Sequence, residues 1–134
     1  MTEELPTAPI EVVRRLYQAF AERELDVIPQ LVSPDVVITQ DPALPWGGRY
    51  EGHDGMGEFT LKLLGAIDSA VTVHELFEAG DRVVQYGRTA GTVRATGEPF
   101  DIAECHVWRV EDGRAVEAQY FIDSAVMLRA LGQA

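Results

Sequence analysis

Around Asp68 the hydrophobic period of the chain changes, and this change constrains the fold more than any other feature. Before it, apolar residues recur at helical spacing; after it they alternate, as the side chains of a half-buried strand must. Val71 to Glu78, Arg82 to Ala95, Phe100 to Val110 and Arg114 to Ile122 read as successive strands. They are divided by Gly80-Asp81, Thr96-Gly97 and Asp112-Gly113, each a turn signal. Helices followed by antiparallel strands predict an α+β domain, a curved sheet folded over a helical layer.

Upstream of the switch, Pro9 stands where helices like to begin. Ile10, Val13, Leu16, Tyr17 and Phe20 form one face, and Arg14, Arg15, Gln18 and Glu22 the other. Asp26 is placed to cap a short helix through Val32, stopped by Ser33-Pro34. Val36 to Asp41 reads as a strand ended by Pro42. Residues 42–52 form a Pro- and Gly-rich loop that places Trp46 as a lid or in a seam between subunits. A third helix opens at His53 or Asp54 with Met56, Phe59, Leu63 and Leu64 inward, and a last short helix, Ser124 to Leu131, is capped by Asp123.

The hairpin at 99–123 decides which side chains face inward, and its turn allows two registers. A two-residue Asp112-Gly113 turn pairs Val110 with Ala115 and sets His106 beside Gln119. A three-residue turn with Gly113 as a bulge pairs Val110 with Arg114. The second separates apolar from charged residues better and is preferred. It puts Ile102, Glu104, His106, Trp108, Val116, Ala118, Tyr120 and Ile122 on one face, and Val107, Arg109, Glu117, Gln119 and Phe121 on the other.

With 134 residues the chain is expected to form one domain, 1–134, with a core needing no staples. Its formal charge of −11 argues against nucleic acid and anionic membrane surfaces as partners. A single cysteine, Cys105, excludes an internal disulfide framework, and its place in a strand suits a packed residue. The acidic start lacks the apolar run of a signal peptide and no segment is long enough to span a membrane, so a cytoplasmic location is expected. The three histidines, His53, His74 and His106, lack metal-ligand spacing, and no phosphate loop or dinucleotide fingerprint occurs. No metal and no cofactor are expected.

The element order, together with Val12-Val-Arg-Arg-Leu-Tyr-Gln-Ala-Phe20, Glu24-Leu-Asp-Val-Ile28, Val37-Ile-Thr-Gln-Asp-Pro42, Gly47-Gly-Arg-Tyr-Glu-Gly52, Val107-Trp-Arg-Val-Glu-Asp-Gly113 and Asp123, resembles the nuclear transport factor 2-like superfamily. It is most similar to the ketosteroid isomerase and SnoaL-like polyketide cyclase branches. The resemblance implies a cone whose open end holds a mostly apolar pocket, and commonly a homodimer built on the outer face of the sheet. In the isomerases an Asp before Pro on the first strand moves a proton beside a carbonyl, and Asp41 matches it. A Tyr on the first helix and a carboxylic acid on the next-to-last strand hold the oxyanion. At those positions stand Leu16, with Tyr17 one residue off, and His106. The epoxide hydrolases of the superfamily use an Arg-x-Asp pair, but Arg88 is followed by Ala90 two residues on.

For proton abstraction Asp41 needs a raised pKa, which burial against Trp46 would give. Arg88, on the alternation Val84, Tyr86, Arg88, Ala90, Thr92, is expected inward, where pairing with Asp41 or Glu104 would cancel the effect. His106 with Glu104 beside it on one face is the acid or oxyanion donor. Tyr17, Trp46, Arg88, Trp108 and Tyr120 are the expected ligand contacts, with core packing the plain alternative for the aromatics. His53, at a helix start, is expected to be a surface or capping residue and His74 to have no role. The expectation is an acid/base isomerase, cyclase or dehydratase acting on a lipophilic carbonyl compound. A non-catalytic binding module of the same fold, or a cone filled by its own side chains, are the alternatives.

Overall fold

The computed structural model describes residues 3–133. Met1 and Thr2 of the lead-in and Ala134 at the end of the expected domain lie outside the described residues. Helix α1 runs Pro9–Ala21, with Pro9 at its start and Val12, Val13, Leu16 and Ala19 buried. A one-turn helix α2, Ile28–Leu31, leads directly into strand β1, Val32–Gln40. Asp26 does not cap α2, whose N-cap is Val27 without a side-chain bond. Ser33-Pro34 lies inside β1 rather than ending a helix. Strand β2, Gly48–Glu51, occupies the end of the expected 42–52 loop, and α3, Gly52–Ala66, follows it.

The remaining strands are β3, Ile67–Ala79, β4, Arg82–Val93, β5, Pro99–Glu111, and β6, Arg114–Ile122, before α4, Ser124–Ala130. Asp123 caps α4 as expected, its carboxylate accepting from the Val126 N–H at 3.2 Å. Among the described residues the strands form one curved, unclosed sheet in the order β2-β1-β6-β5-β4-β3. All neighbours are antiparallel except β1 and β6. The mixed sheet over a helical layer is the α+β architecture that the change of period requires.

Two devices bend the sheet. At Gly87 a Cβ would lie 2.0 Å from the Thr72 carbonyl oxygen, and at Gly91 one would lie 1.9 Å from that of Asp68, so only glycine lets β3 fold so closely over β4. Beside them β3 carries a bulge between Val73 and Glu75.

The β5–β6 hairpin corrects the expected turn. Glu111 pairs with Arg114 and Val110 with Ala115 around a two-residue turn. Asp112 and Gly113 both have positive φ, 51° and 74°, as the hairpin-compatible primed turn requires. A shift between Arg109 and Val110 then restores the pairs Trp108–Ala118, His106–Tyr120 and Glu104–Ile122. The bulge therefore sits in β6, not in the turn. Ala115 is the fully buried residue there, and Val116 is only half-buried. From Trp108 onward the inward face is the expected one.

Candidate functional site

Strand β5 points Ile102, Glu104, His106 and Trp108 toward α1, and β4 brings Gln85 opposite His106. Tyr17, from the third turn of α1, reaches into this group and becomes its hub. Its hydroxyl oxygen accepts the Trp108 indole N–H at 2.9 Å and lies 2.6 Å from His106 Nδ1. The Gln85 amide nitrogen is 3.4 Å from the same oxygen. Indole and amide N–H groups only donate, so the phenolic proton has one acceptor within reach, His106 Nδ1. This leaves the proton of a neutral His106 on Nε2, which faces Glu104 Oε2 at 3.4 Å. Glu104 Oε2 also accepts from Gln85 Nε2 at 2.7 Å.

Glu104 is 3 % exposed and Gln85 fully buried. Removing water disfavours whichever form is charged, so burial shifts acids up and bases down. Burial pushes Glu104 up to about 7, against the partial relief of the Gln85 hydrogen bond. It lowers His106 to about 3. Burial also moves the Tyr17 and Tyr120 phenols well above their ordinary range. At neutral pH the imidazole is uncharged while Glu104 exchanges its proton. The arrangement suits general acid/base work.

Aromatic rings wall this group. Tyr120 packs 4.6 Å from His106, 5.7 Å from Trp108 and 5.6 Å from Phe59 of α3, measured between ring centres. Trp108 and Tyr120 therefore lie where the sequence places them. Tyr17 corrects the alignment of first helices: Leu16 is fully buried core, and the neighbouring Tyr17 carries the phenol to the sheet.

Asp41, Trp46 and Arg88 do not join the group. Asp41 is exposed at the end of β1, and its carboxylate accepts from the Ala43 N–H at 2.9 Å. That bond and one from Ser124 hold its pKa below the usual range, opposite to the shift a base there would need. It is a turn former, as an Asp before Pro readily is. Trp46 is 1 % exposed, and its indole donates to Gln40 Oε1 at 3.0 Å, so it anchors the loop in the core. Arg88 points to the other face and pairs with Asp101 at 2.6 Å. On β4 the inward residues are Val83, Gln85, Gly87 and Thr89, one position out of phase with expectation. Two of the inward positions, Gly87 and Gly91, have no side chain to signal burial. The polar Gln85 conceals the phase further, which is why it escapes a sequence search. Its signal was the apolar pair Val83 and Val93, which bracket the strand in the correct phase.

The other histidines are structural or unpartnered by the site. His53 Nε2 bonds the Val32 carbonyl at 2.8 Å, tying α3 to β1, and His74 lies at the exposed bulge against Tyr86. Cys105, half-buried on the outer face, has its thiol pKa raised by burial. Two surface grooves, of about 480 and 580 Å³, lie against α3 and on the outer face of β1 and β6, and Glu104, His106 and Tyr17 line neither. Among the described residues no helix is long and apolar enough to cross a membrane.

The family model of the SnoaL-like domain matches residues 13–118. An NTF2-like protein of unknown function from Burkholderia pseudomallei is 31 % identical, with a TM-score of 0.84 over 92 % of this chain and 96 % of that one. TerC, co-crystallised with polyporic acid, is 25 % identical, with a TM-score of 0.83 over 92 % and 98 %. IdmH of Streptomyces antibioticus, named as a candidate polyketide cyclase, is 29 % identical, with a TM-score of 0.72 over 93 % and 99 %. No curated protein matches the chain.

Proposed function

The chain belongs to the SnoaL-like domain family, and from that premise we propose that it is a cytoplasmic acid/base enzyme acting on a lipophilic carbonyl compound. One observation carries the reading: a nearly dry carboxyl, Glu104, is pushed up to about 7 and held 3.4 Å from a neutral imidazole. Ionised Glu104 takes the proton beside the carbonyl. The N–H of His106, whose ring the Tyr17 hydroxyl holds through Nδ1, then supplies a hydrogen bond to the enolate oxygen. The enolate takes that proton back from Glu104 at another carbon, adds to a second carbonyl whose oxygen takes it, or expels a β-hydroxyl that leaves with it as water. These outcomes are isomerisation, aldol cyclisation and dehydration, and none needs a cofactor. The rings of Phe59, Trp108 and Tyr120 suit an apolar skeleton. Small-molecule use also fits TerC, crystallised with an organic acid, and IdmH, named for cyclase chemistry.

A model carbon acid tests this directly. In D2O the protein is expected to speed deuterium uptake at C2 of 1-tetralone, and Glu104→Gln to lose that acceleration by about 10²-fold or more. Uptake no faster than in buffer, or undiminished in Glu104→Gln, would refute the reading. Non-catalytic binding is the second reading, favoured by the removal of Asp41 from the site. It predicts that 1-tetralone binds without exchange.

A further inference from the structure

Within the Glu104 group every buried polar side-chain atom has a partner except one. Gln85 Oε1 is the only fully buried side-chain oxygen or nitrogen without a hydrogen bond among the described residues. Its amide cannot relieve this by turning over while Glu104 is ionised. The turn would set a carbonyl oxygen against the carboxylate that Nε2 now meets at 2.7 Å. Nor would His106 Nδ1 help, because its lone pair takes the Tyr17 proton at 2.6 Å. While Glu104 is ionised, the amide is therefore held with its acceptor unfilled, at the centre of the proposed site. Position 87, next on the same face, has no side chain, and a Cβ there would lie 2.5 Å from Oε1. A buried acceptor without a donor is costly, and a site can hold one at its centre when the ligand supplies the donor.

Building on the acid/base reading, we propose that Gln85 is the specificity-determining residue. Its carbonyl oxygen accepts a hydrogen bond from a hydroxyl of the substrate, so the preferred class is hydroxy-carbonyl compounds rather than simple ketones. Sites built to bond a hydroxyl discriminate against analogues that lack it, because the site's own polar group is then left unpaired.

Matched probes test the inference separately from catalysis. The two tryptophans, Trp108 among the site residues, report binding of 1-tetralone and 4-hydroxy-1-tetralone by fluorescence quenching. The wild type is expected to prefer the hydroxy-ketone roughly tenfold, and Gln85→Met to bind the two about equally. Loss of the Gln85–Glu104 bond affects both probes alike and cancels in the ratio. If Gln85→Met fails to fold, the Gln85 side-chain carbonyl ¹³C resonance of the wild type decides. It should shift with the hydroxy-ketone and not with the ketone. Equal affinities in the wild type, binding of neither probe, an unchanged ratio in Gln85→Met or an unmoved resonance would each overturn the proposal; an ordered water on Oε1 would then be the better explanation. Deuterium uptake at C2 reports on the acid/base reading alone. Preference without exchange refutes that reading and leaves Gln85 as a binding determinant, and exchange without preference does the reverse.

Discussion

Glu104 and His106 are shifted in opposite directions by the same loss of water, so they load the folding equilibrium at opposite ends of the pH scale. Glu104 is raised from 4.5 to about 7, so its native state binds more protons than its unfolded state. Its stabilisation is whole below 4.5 and is lost as pH rises through about 7. His106 is lowered from 6.5 to about 3, so its stabilisation is whole above 6.5 and is lost as pH falls toward 3. In full, the Glu104 loss corresponds to about 3 kcal/mol. Glu104→Gln, which keeps the shape and cannot ionise, should therefore gain on the wild type in melting temperature between pH 5 and pH 8. Paired melting curves by circular dichroism measure this, and a constant difference would mean that Glu104 is not desolvated. The sequence made Glu104 and His106 legible because both stand in one strand with the same inward phase. It offered Tyr17 as a ligand contact but hid its bond to His106, because matching helices residue by residue cannot tell which of two adjacent side chains is long enough to reach the sheet. Asp41 misled for a related reason: an Asp before Pro has the same sequence whether it works as a base or closes a turn.

Among the elements, the hairpin holds the clearest lesson about what sequence patterns carry. The choice between two registers came from the division of apolar from charged residues, and that division is present from Trp108 to Ile122. The device was misplaced, since a two-residue turn followed by a bulge in β6 gives the same offset as a bulged turn. Hydrophobic patterns record the net offset of a hairpin, not where along it the extra residue sits. On β4 the pattern failed because its inward row runs Val83, Gln85, Gly87, Thr89. Gly87, like Gly91, leaves no room on this element for a side chain. Gly87→Ala would drive a methyl group into the Thr72 carbonyl oxygen at 2.0 Å and into Gln85 Oε1 at 2.5 Å. It should cost at least about 2 kcal/mol, as overpacking against backbone does. Urea unfolding checks the value, and a cost near zero would show that the two strands are less closely folded together.

At the scale of the whole molecule, the order of helices and strands sufficed for the fold, because a curved sheet with one apolar face has few ways to bury it. The outer face was only partly legible. It carries two cross-strand apolar rows, Phe77–Val84–Val107 and Tyr86–Cys105–Phe121. Phe77, Tyr86 and Phe121 are 43 %, 45 % and 53 % exposed. We propose that a second copy of the chain covers this patch, since contiguous exposed apolar rows of this kind mark interfaces. Tyr86→Asp combined with Phe121→Asp should convert a dimer into a monomer in sedimentation velocity, with the fold retained by circular dichroism. A wild-type monomer at tens of micromolar would refute it.

One group carries the proposed chemistry, the Glu104 carboxyl, kept dry enough to exchange its proton near neutrality. Its titration can be followed in the free protein by the side-chain carboxyl ¹³C resonance of Glu104, assigned as the signal missing from Glu104→Gln. A midpoint near 7 is the predicted result, and a midpoint near the ordinary 4.5 would contradict the account.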